Sequence, residues 1–518
     1  MRILLVDVDS LRPDHLGCYG YSRDTSPTID SIADEGVRFD RCYASDTPCL
    51  PSRTALATGR FGVKNGVVSH FGEGQWYDEP GEGHTPDPER PLAFRHLPDA
   101  GIHTTTVSSF SQRHMAYHFG SGFRESIQPT SPDRGLGHEW GEHVTREAKR
   151  WLDGHAEDDD WLLHVQYWDP HVIYPETDEH LAAVRDSGPR PDWPDQDAID
   201  DQQGMTGTRT ADTWYFASQY EDGEIPPESW GQRDDDWTMP ESITDRADVE
   251  RVVDGYDASI RKTDDEIRKL LAALERVGVR DETAVVVTGD HGDAMGEHGI
   301  YGDHVMAHPP TQQVPLVVSW PDVTPADGAV CDGQVYQFDL VATICDLLDV
   351  RLPEKWDAEP FTPALRNDSF AGREQLVCGH GTFAMSRAVY RDDWVYIRLL
   401  HPGVMSYPGM YNDPDLPGFG LELLHDRAAD SRMTRNLVEE RPDVADELRC
   451  VMDGWVSEQI TTTDATGTDP LARMATTDGP FLYNDPAEFA SLYRTLGRSE
   501  KQIETVERSR ARFASDER

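Results

Sequence analysis

Lysine is nearly absent: six residues, at positions 64, 149, 262, 269, 355 and 501, in a chain of 518. Arginine therefore carries almost all the positive charge. Acidic residues outnumber basic ones by 95 to 48, and the formal net charge is -47. Such a surface repels polyanions, which excludes nucleic acid as a partner class. It also repels itself, and that repulsion is screened only in concentrated salt, where the Debye length falls to about 3 Å at 1 M. The acid is spread along the whole chain, so a halophile's protein is expected rather than an acidic docking tail. Cysteine is scarce too. The seven (18, 42, 49, 331, 345, 378 and 450) are odd in number, scattered and without a C-x-x-C pair, which argues against a disulfide framework and for a reducing, cytoplasmic setting. No run of 18 apolar residues exists, so no membrane helix is expected. The opening MRILLVDVDSL carries Asp7 and Asp9 inside its short apolar run and reads as a buried strand, not a signal peptide.

Five strands stand out: ILLVDVD, GIHTTTVSS, WLLHVQYW, TAVVVTGD and VPLVVSWP. Before the fourth, ASIRKTDDEIRKLLAALERVGV places Ile267, Leu270, Leu271 and Leu274 on one helical stripe. Strands alternating with helices predict an α/β fold, a large doubly wound and mainly parallel sheet. Residues 1–365 form the expected main domain. Within it, 176–250 is an acidic insertion with isolated aromatics (Trp193, Trp214, Tyr215 and Trp230). RAVYRDDWVYIRLL predicts two strands around a turn at Asp392–Asp393, opening a smaller C-terminal α+β domain over 366–460. A partly helical tail over 461–518 follows.

In doubly wound sheets reactive groups gather beyond the carboxyl ends of the strands. Asp9, His171, Asp290 and His291 all sit at such ends. Carboxylates there suit Ca²⁺ or Mg²⁺, and a histidine widens the choice to Mn²⁺ or Zn²⁺. A lone Asp after a strand also reads as a helix N-cap, but capping does not account for the Asp290–His291 pair. In TPCLPSRTALATGR, residues 47–60, Cys49 precedes a Pro suited to a first helical turn, and Arg53 lies one turn on. A helix N-terminus beside an Arg suits anion chemistry. Taken alone, the same residues also fit a buried free thiol.

CLPSRTALATGR resembles the signature of the sulfatases, in the alkaline phosphatase superfamily. ILLVDVDSLRPDHLGCYGY is similar to that family's first metal-binding strand, YWDPHVIYP to the stretch bearing a substrate-contacting His, and TAVVVTGDHGDAMGEHGIYGDH to the second metal-binding strand. ELLHDRAADSRMTRNLVEERPDVADELR resembles the C-terminal region, so the likeness covers about residues 1–460 in family order. It implies a haloarchaeal-type, formylglycine-dependent member with an alkaline phosphatase-like fold. A formylglycine-generating enzyme would convert Cys49 to an aldehyde that hydrates to a geminal diol. One hydroxyl attacks the sulfur of an organic sulfate ester and the alcohol leaves. The second hydroxyl loses its proton and sulfate is expelled. The resemblance makes Asp9, Cys49, Asp290 and His291 the metal ligands, Ca²⁺ ahead of Mg²⁺ or Mn²⁺. It makes Arg53 the stabiliser of residue 49, and His171 a contact to sulfate or the leaving oxygen.

The chain departs from the family in three places. Ser10 follows Asp9 where a second Asp is common, and Asp7 is an extra acid with no assigned role. The two lysines that contact sulfate in many members are missing. Arg113, His114 and His304 are expected to take over anion contacts and leaving-group protonation. The substrate class is a small-molecule or glycan sulfate ester. A phosphonate monoester or phosphodiester hydrolase is the alternative, and a non-catalytic metal-binding relative a third. Oligomeric state and natural substrate are not legible.

Overall fold

The computed structural model describes residues 1–70, 72–77, 81–82, 85–130, 139–171, 174, 177–203, 240, 243–382, 384–401, 422–462 and 467–476, with 491, 494, 500, 503 and 504. Trp214, Tyr215, Trp230 and most of the tail lie outside these residues.

The main sheet has eight strands: β1 (Arg2–Val8), β2 (Val37–Phe39), β3 (His103–Val107), β4 (Glu125–Ile127), β5 (Trp161–Tyr167), β6 (Thr283–Gly289), β7 (Leu316–Ser319) and β8 (Ala329–Cys331). Their order is β8-β2-β7-β6-β1-β5-β3-β4. The run β6-β1-β5-β3-β4 is parallel throughout. Antiparallel pairing enters only where β7 joins β6 and β2. The α/β, mainly parallel sheet expected from the sequence is what forms.

Strand β1 is central because its apolar run can be covered on both sides. Alternate residues of a strand point to opposite faces. Leu4, Val6 and Val8 join the cluster built with helices α2 (Gly141–His155) and α3 (Arg246–Val277). Ile3 and Leu5 join the other cluster, with Cys49, Leu50 and Leu56 of helix α1 (Cys49–Thr58). Asp7 and Asp9 continue the Ile3–Leu5 face. On β6, Ala284 and Val286 occupy that same face, and Asp290 continues it. The strand period thus delivers three acids to the side on which Cys49 begins a helix.

The expected stripe of Ile267, Leu270, Leu271 and Leu274 is buried within α3, which is longer than the sequence pattern indicated. It starts at Arg246, inside the stretch read as insertion, because Asp245 accepts hydrogen bonds from the amides of Ala247 and Asp248. The insertion also holds helices at Asp178–Ser187 and Gln196–Gln203. Its residues brace the loop after β6: Gln202 donates to the Gly296 carbonyl at 3.0 Å and accepts from the Tyr301 hydroxyl at 2.5 Å.

The second sheet contains β9 (Leu376–Thr382), β10 (Ala384–Arg391), β11 (Trp394–His401) and β12 (Glu422–Asp426), all antiparallel, with α4 (Pro442–Thr461) packed on it. The turn falls at Asp392, in the left-handed region with φ 51°. At its far edge β9 pairs in parallel with Asp46–Thr47, the segment leading into Cys49. Among the described residues no helix is long and apolar enough to cross a membrane.

Candidate active site

Cys49 is the first residue of a ten-residue helix that is buried along its whole length. Its Sγ lies 3.1 Å from His291 Nε2. One ligand atom each from Asp9, Cys49, Asp290 and His291 lies within 4.8 Å of the others. Arg53, one turn further along α1, reaches the same acids. Its Nη1 donates to Asp9 at 2.9 Å and Asp290 at 2.6 Å, while Nε and Nη2 grip Asp7 at 2.7 and 3.2 Å. All four of these residues are 0% exposed. Asp7, left without a role by its sequence position alone, is the carboxylate that orients Arg53.

Three buried carboxylates therefore share one guanidinium, and buried charge needs a partner. Burial drives the Asp9 carboxyl up, but Arg53, with His171 and His291, overrides it and holds Asp9 well below the usual range. Asp290 goes the other way: burial, then repulsion from Asp9 and Asp7, outweighs Arg53 and pushes it well above its ordinary value. That split marks a site short of positive charge. The donors, two carboxylates and an imidazole, are those a divalent cation accepts. The residues fit a metal ion.

The thiol of Cys49 is not activated. Burial, then Asp9 and Asp290, push it well above its normal range, so at neutral pH it is a neutral thiol rather than a thiolate.

Around this centre stands a ring of histidines. The His304 ring centre lies 4.2 Å from that of His291 and 6.3 Å from that of His171. His304 Nδ1 pairs with Asp293 at 2.9 Å. Burial works against its charge, yet Asp293 and Asp303 more than compensate and raise His304 to about 9. His304 is thus an imidazolium at neutral pH. Burial lowers His171 against the opposing pull of Asp9, and burial, then Arg113, lowers His114. Trp168 ties the remaining groups together: the guanidinium carbons of Arg53 and Arg113 lie 5.6 and 4.0 Å from its ring centre, and the His114 ring 5.9 Å. Among the described residues the buried Nε2 of His114 has no hydrogen-bond partner.

Every residue singled out from the sequence thus lies in one neighbourhood. Sequence reasoning missed His70, whose Nε2 accepts from the Leu50 amide at 3.1 Å and whose ring sits 4.7 Å from that of His114. It also missed Asp293, although the GDHGD spacing was a signal. The described lysines that form ion pairs do so with acids other than Asp7, Asp9 and Asp290. Lys64 pairs with Asp357, Lys262 with Asp169 and Lys269 with Glu266.

The sulfatase family profile matches residues 2–350. An N-acetylglucosamine-6-O-sulfatase of Bacteroides thetaiotaomicron is 23% identical over 417 residues, 71% of each chain. A solved structure in complex with its substrate D-glucosamine-2-N,6-O-disulfate superposes with a TM-score of 0.68 at 18% identity, covering 90% of this chain and 99% of that one. The phosphonate monoester hydrolase of Agrobacterium radiobacter superposes with a TM-score of 0.63 at 17% identity, covering 88% and 96%. With a family match over two thirds of its length and the acids of two strand ends gathered at Cys49, the chain belongs to the sulfatase family and is a sulfuric ester hydrolase.

Proposed function

We propose that the enzyme cleaves an organic sulfate ester to an alcohol and inorganic sulfate, using formylglycine made from Cys49 by a formylglycine-generating enzyme. The observation that carries this reading is the position of Cys49. It stands at the focus of Asp9, Asp290 and His291, yet its own thiol is held protonated. A geminal diol at this position would sit among the same three ligands. The hydrated aldehyde supplies one hydroxyl to attack sulfur and a second whose deprotonation expels sulfate.

Asp9, Asp290, His291 and the modified residue 49 would hold a divalent cation, Ca²⁺ first and Mg²⁺ or Mn²⁺ as alternatives. When bound it supplies positive charge to the transferring group. The remaining work falls to the chain. Arg53, oriented by Asp7, stabilises the oxygens at residue 49. His304, charged through Asp293, contacts sulfate and protonates the leaving oxygen. His171 and Arg113 contact the sulfate oxygens, and His114 lines the leaving-group side. In place of the usual lysines, positive charge comes from Arg113 and His304.

A sulfated glycan unit or small organosulfate is the substrate class, in keeping with the activity named for the Bacteroides relative. The distributed acid supports a haloarchaeal-type, cytoplasmic protein. Raising KCl from dilute to molar should raise Tm, and a flat response would remove that reading. The functional test is kcat/KM for an aryl sulfate beside an aryl phosphonate monoester. The sulfate is expected to win by more than tenfold; the reverse order would transfer the chain to phosphonate hydrolysis.

A further inference from the structure

A cavity of about 270 Å³ lies between the segment after β1, the loop around Glu297 and the turn after β12. Four arginines line it, Arg12, Arg38, Arg427 and Arg432, against Asp14, Asp40 and Glu297. Two are neutralised. Arg12 Nη2 pairs with Asp14 at 2.7 Å and Glu297 at 2.9 Å, and Arg38 Nε with Asp40 at 2.8 Å. The other two are not. Arg427 donates to the Tyr43 hydroxyl at 2.9 Å and to Gln313 Oε1 at 2.8 Å, both uncharged. Arg432 lies over the ring of Trp193 at 5.2 Å. Among the described residues neither forms an ion pair.

That pairing failure runs against the composition. With acids outnumbering bases by 95 to 48, a guanidinium finds a carboxylate easily. Asp14 acts on both Arg427 and Arg432 through space, but among the described residues neither has a carboxylate within ion-pair distance, and beside the Ser431 hydroxyl they leave donors for an outside anion. Planar guanidinium donors match the paired oxygens of sulfate-like groups. The cavity is separate from the catalytic centre but shares a wall with it. Arg12 Nη1 donates to the Asp293 carbonyl at 3.0 Å, while the Asp293 carboxylate holds His304.

We propose that this cavity is an accessory oxyanion site in which Arg427 and Arg432 bind a sulfate group. The group is either free inorganic sulfate or the sulfate of a substrate molecule. The inference does not depend on how Cys49 is modified.

The test is equilibrium binding of radiolabelled inorganic sulfate to the full chain, at a fixed chloride concentration high enough to keep it folded. The wild type should bind two sulfates per chain. Arg432→Gln should retain one, with the second weakened at least tenfold. Arg432 is half-buried and stacks over Trp193 without a direct ion pair among the described residues, so this variant should fold; Arg427→Gln is the companion. A second arm uses a 6-sulfo sugar whose carbon–sulfur bond resists hydrolysis. If inorganic sulfate fills the second site the ligand is the free anion. If only the sugar does, it is a substrate's sulfate. A single site for both probes, unchanged in Arg432→Gln and Arg427→Gln, would overturn the proposal.

Discussion

Asp7→Asn tests the link between the first strand and the catalytic helix. Asp7 fixes Arg53 through two hydrogen bonds of 2.7 and 3.2 Å in a wholly buried setting. Its Oδ2 also lies 3.4 Å from His164 Nε2. Asparagine keeps the shape and one acceptor oxygen. Its amide group would place a donor against a donor, so one charge-assisted bond is lost. Breaking a buried pair outright costs about 3–5 kcal/mol. Here Asp9 and Asp290 still hold the guanidinium, so the loss is nearer that of one charge-assisted bond, about 2 kcal/mol. If all of it falls on the transition state, turnover drops about 30-fold at 1.36 kcal/mol per decade. Initial rates on an aryl sulfate should show this in kcat, with KM changed less than threefold and metal content equal to wild type. Asp9→Asn, which removes a proposed cation ligand, should instead lose metal. An Asp7→Asn enzyme with wild-type kcat and Tm would refute the assignment of Asp7 as the positioning group for Arg53.

His304 sets an alkaline limb. Its value is raised from the ordinary 6.5 to about 9, so the imidazolium is fully present at pH 7 and lost as pH climbs through 9. We expect kcat/KM to fall tenfold per pH unit above 9, and His304→Ala to lose both this limb and about 100-fold in kcat; an unchanged profile would remove His304 from protonation. Removing metal with a chelator should lower Tm, and Ca²⁺ at 100 times its Kd should restore about 2.7 kcal/mol. In the metal-free protein Asp290→Asn should be at least as stable as wild type, because burial and neighbouring acids already favour its uncharged form; calorimetry checks both.

The sequence carried the outline of the centre because its signals are local. An apolar run ending in acid, or in Asp290–His291, reads as a strand end without knowledge of its neighbours. The period of two in a strand even held the role of Asp7: it must face the same way as Asp9, and so toward whatever Asp9 serves. Other features were not local. His70 sits in an irregular loop with no pattern, and only the folded chain brings its ring under the Leu50 amide. The charge on His304 depends on Asp293, eleven residues away, across a loop. Parallel pairing of Asp46–Thr47 with β9 joins segments over 330 residues apart, and no propensity encodes it. The early start of α3 was legible in principle, since Asp245 and Asp248 form a capping box, but the acid-rich surroundings masked it.

The central claim is that Cys49 acts only after conversion to formylglycine. The direct measurement is the mass of the tryptic peptide containing Cys49, from protein made in its native host, taken beside turnover on an aryl sulfate. The account predicts a peptide in which the thiol has been replaced by an aldehyde, and turnover in proportion to the converted fraction. A peptide carrying only unmodified cysteine, from a preparation with full sulfatase activity, would contradict it.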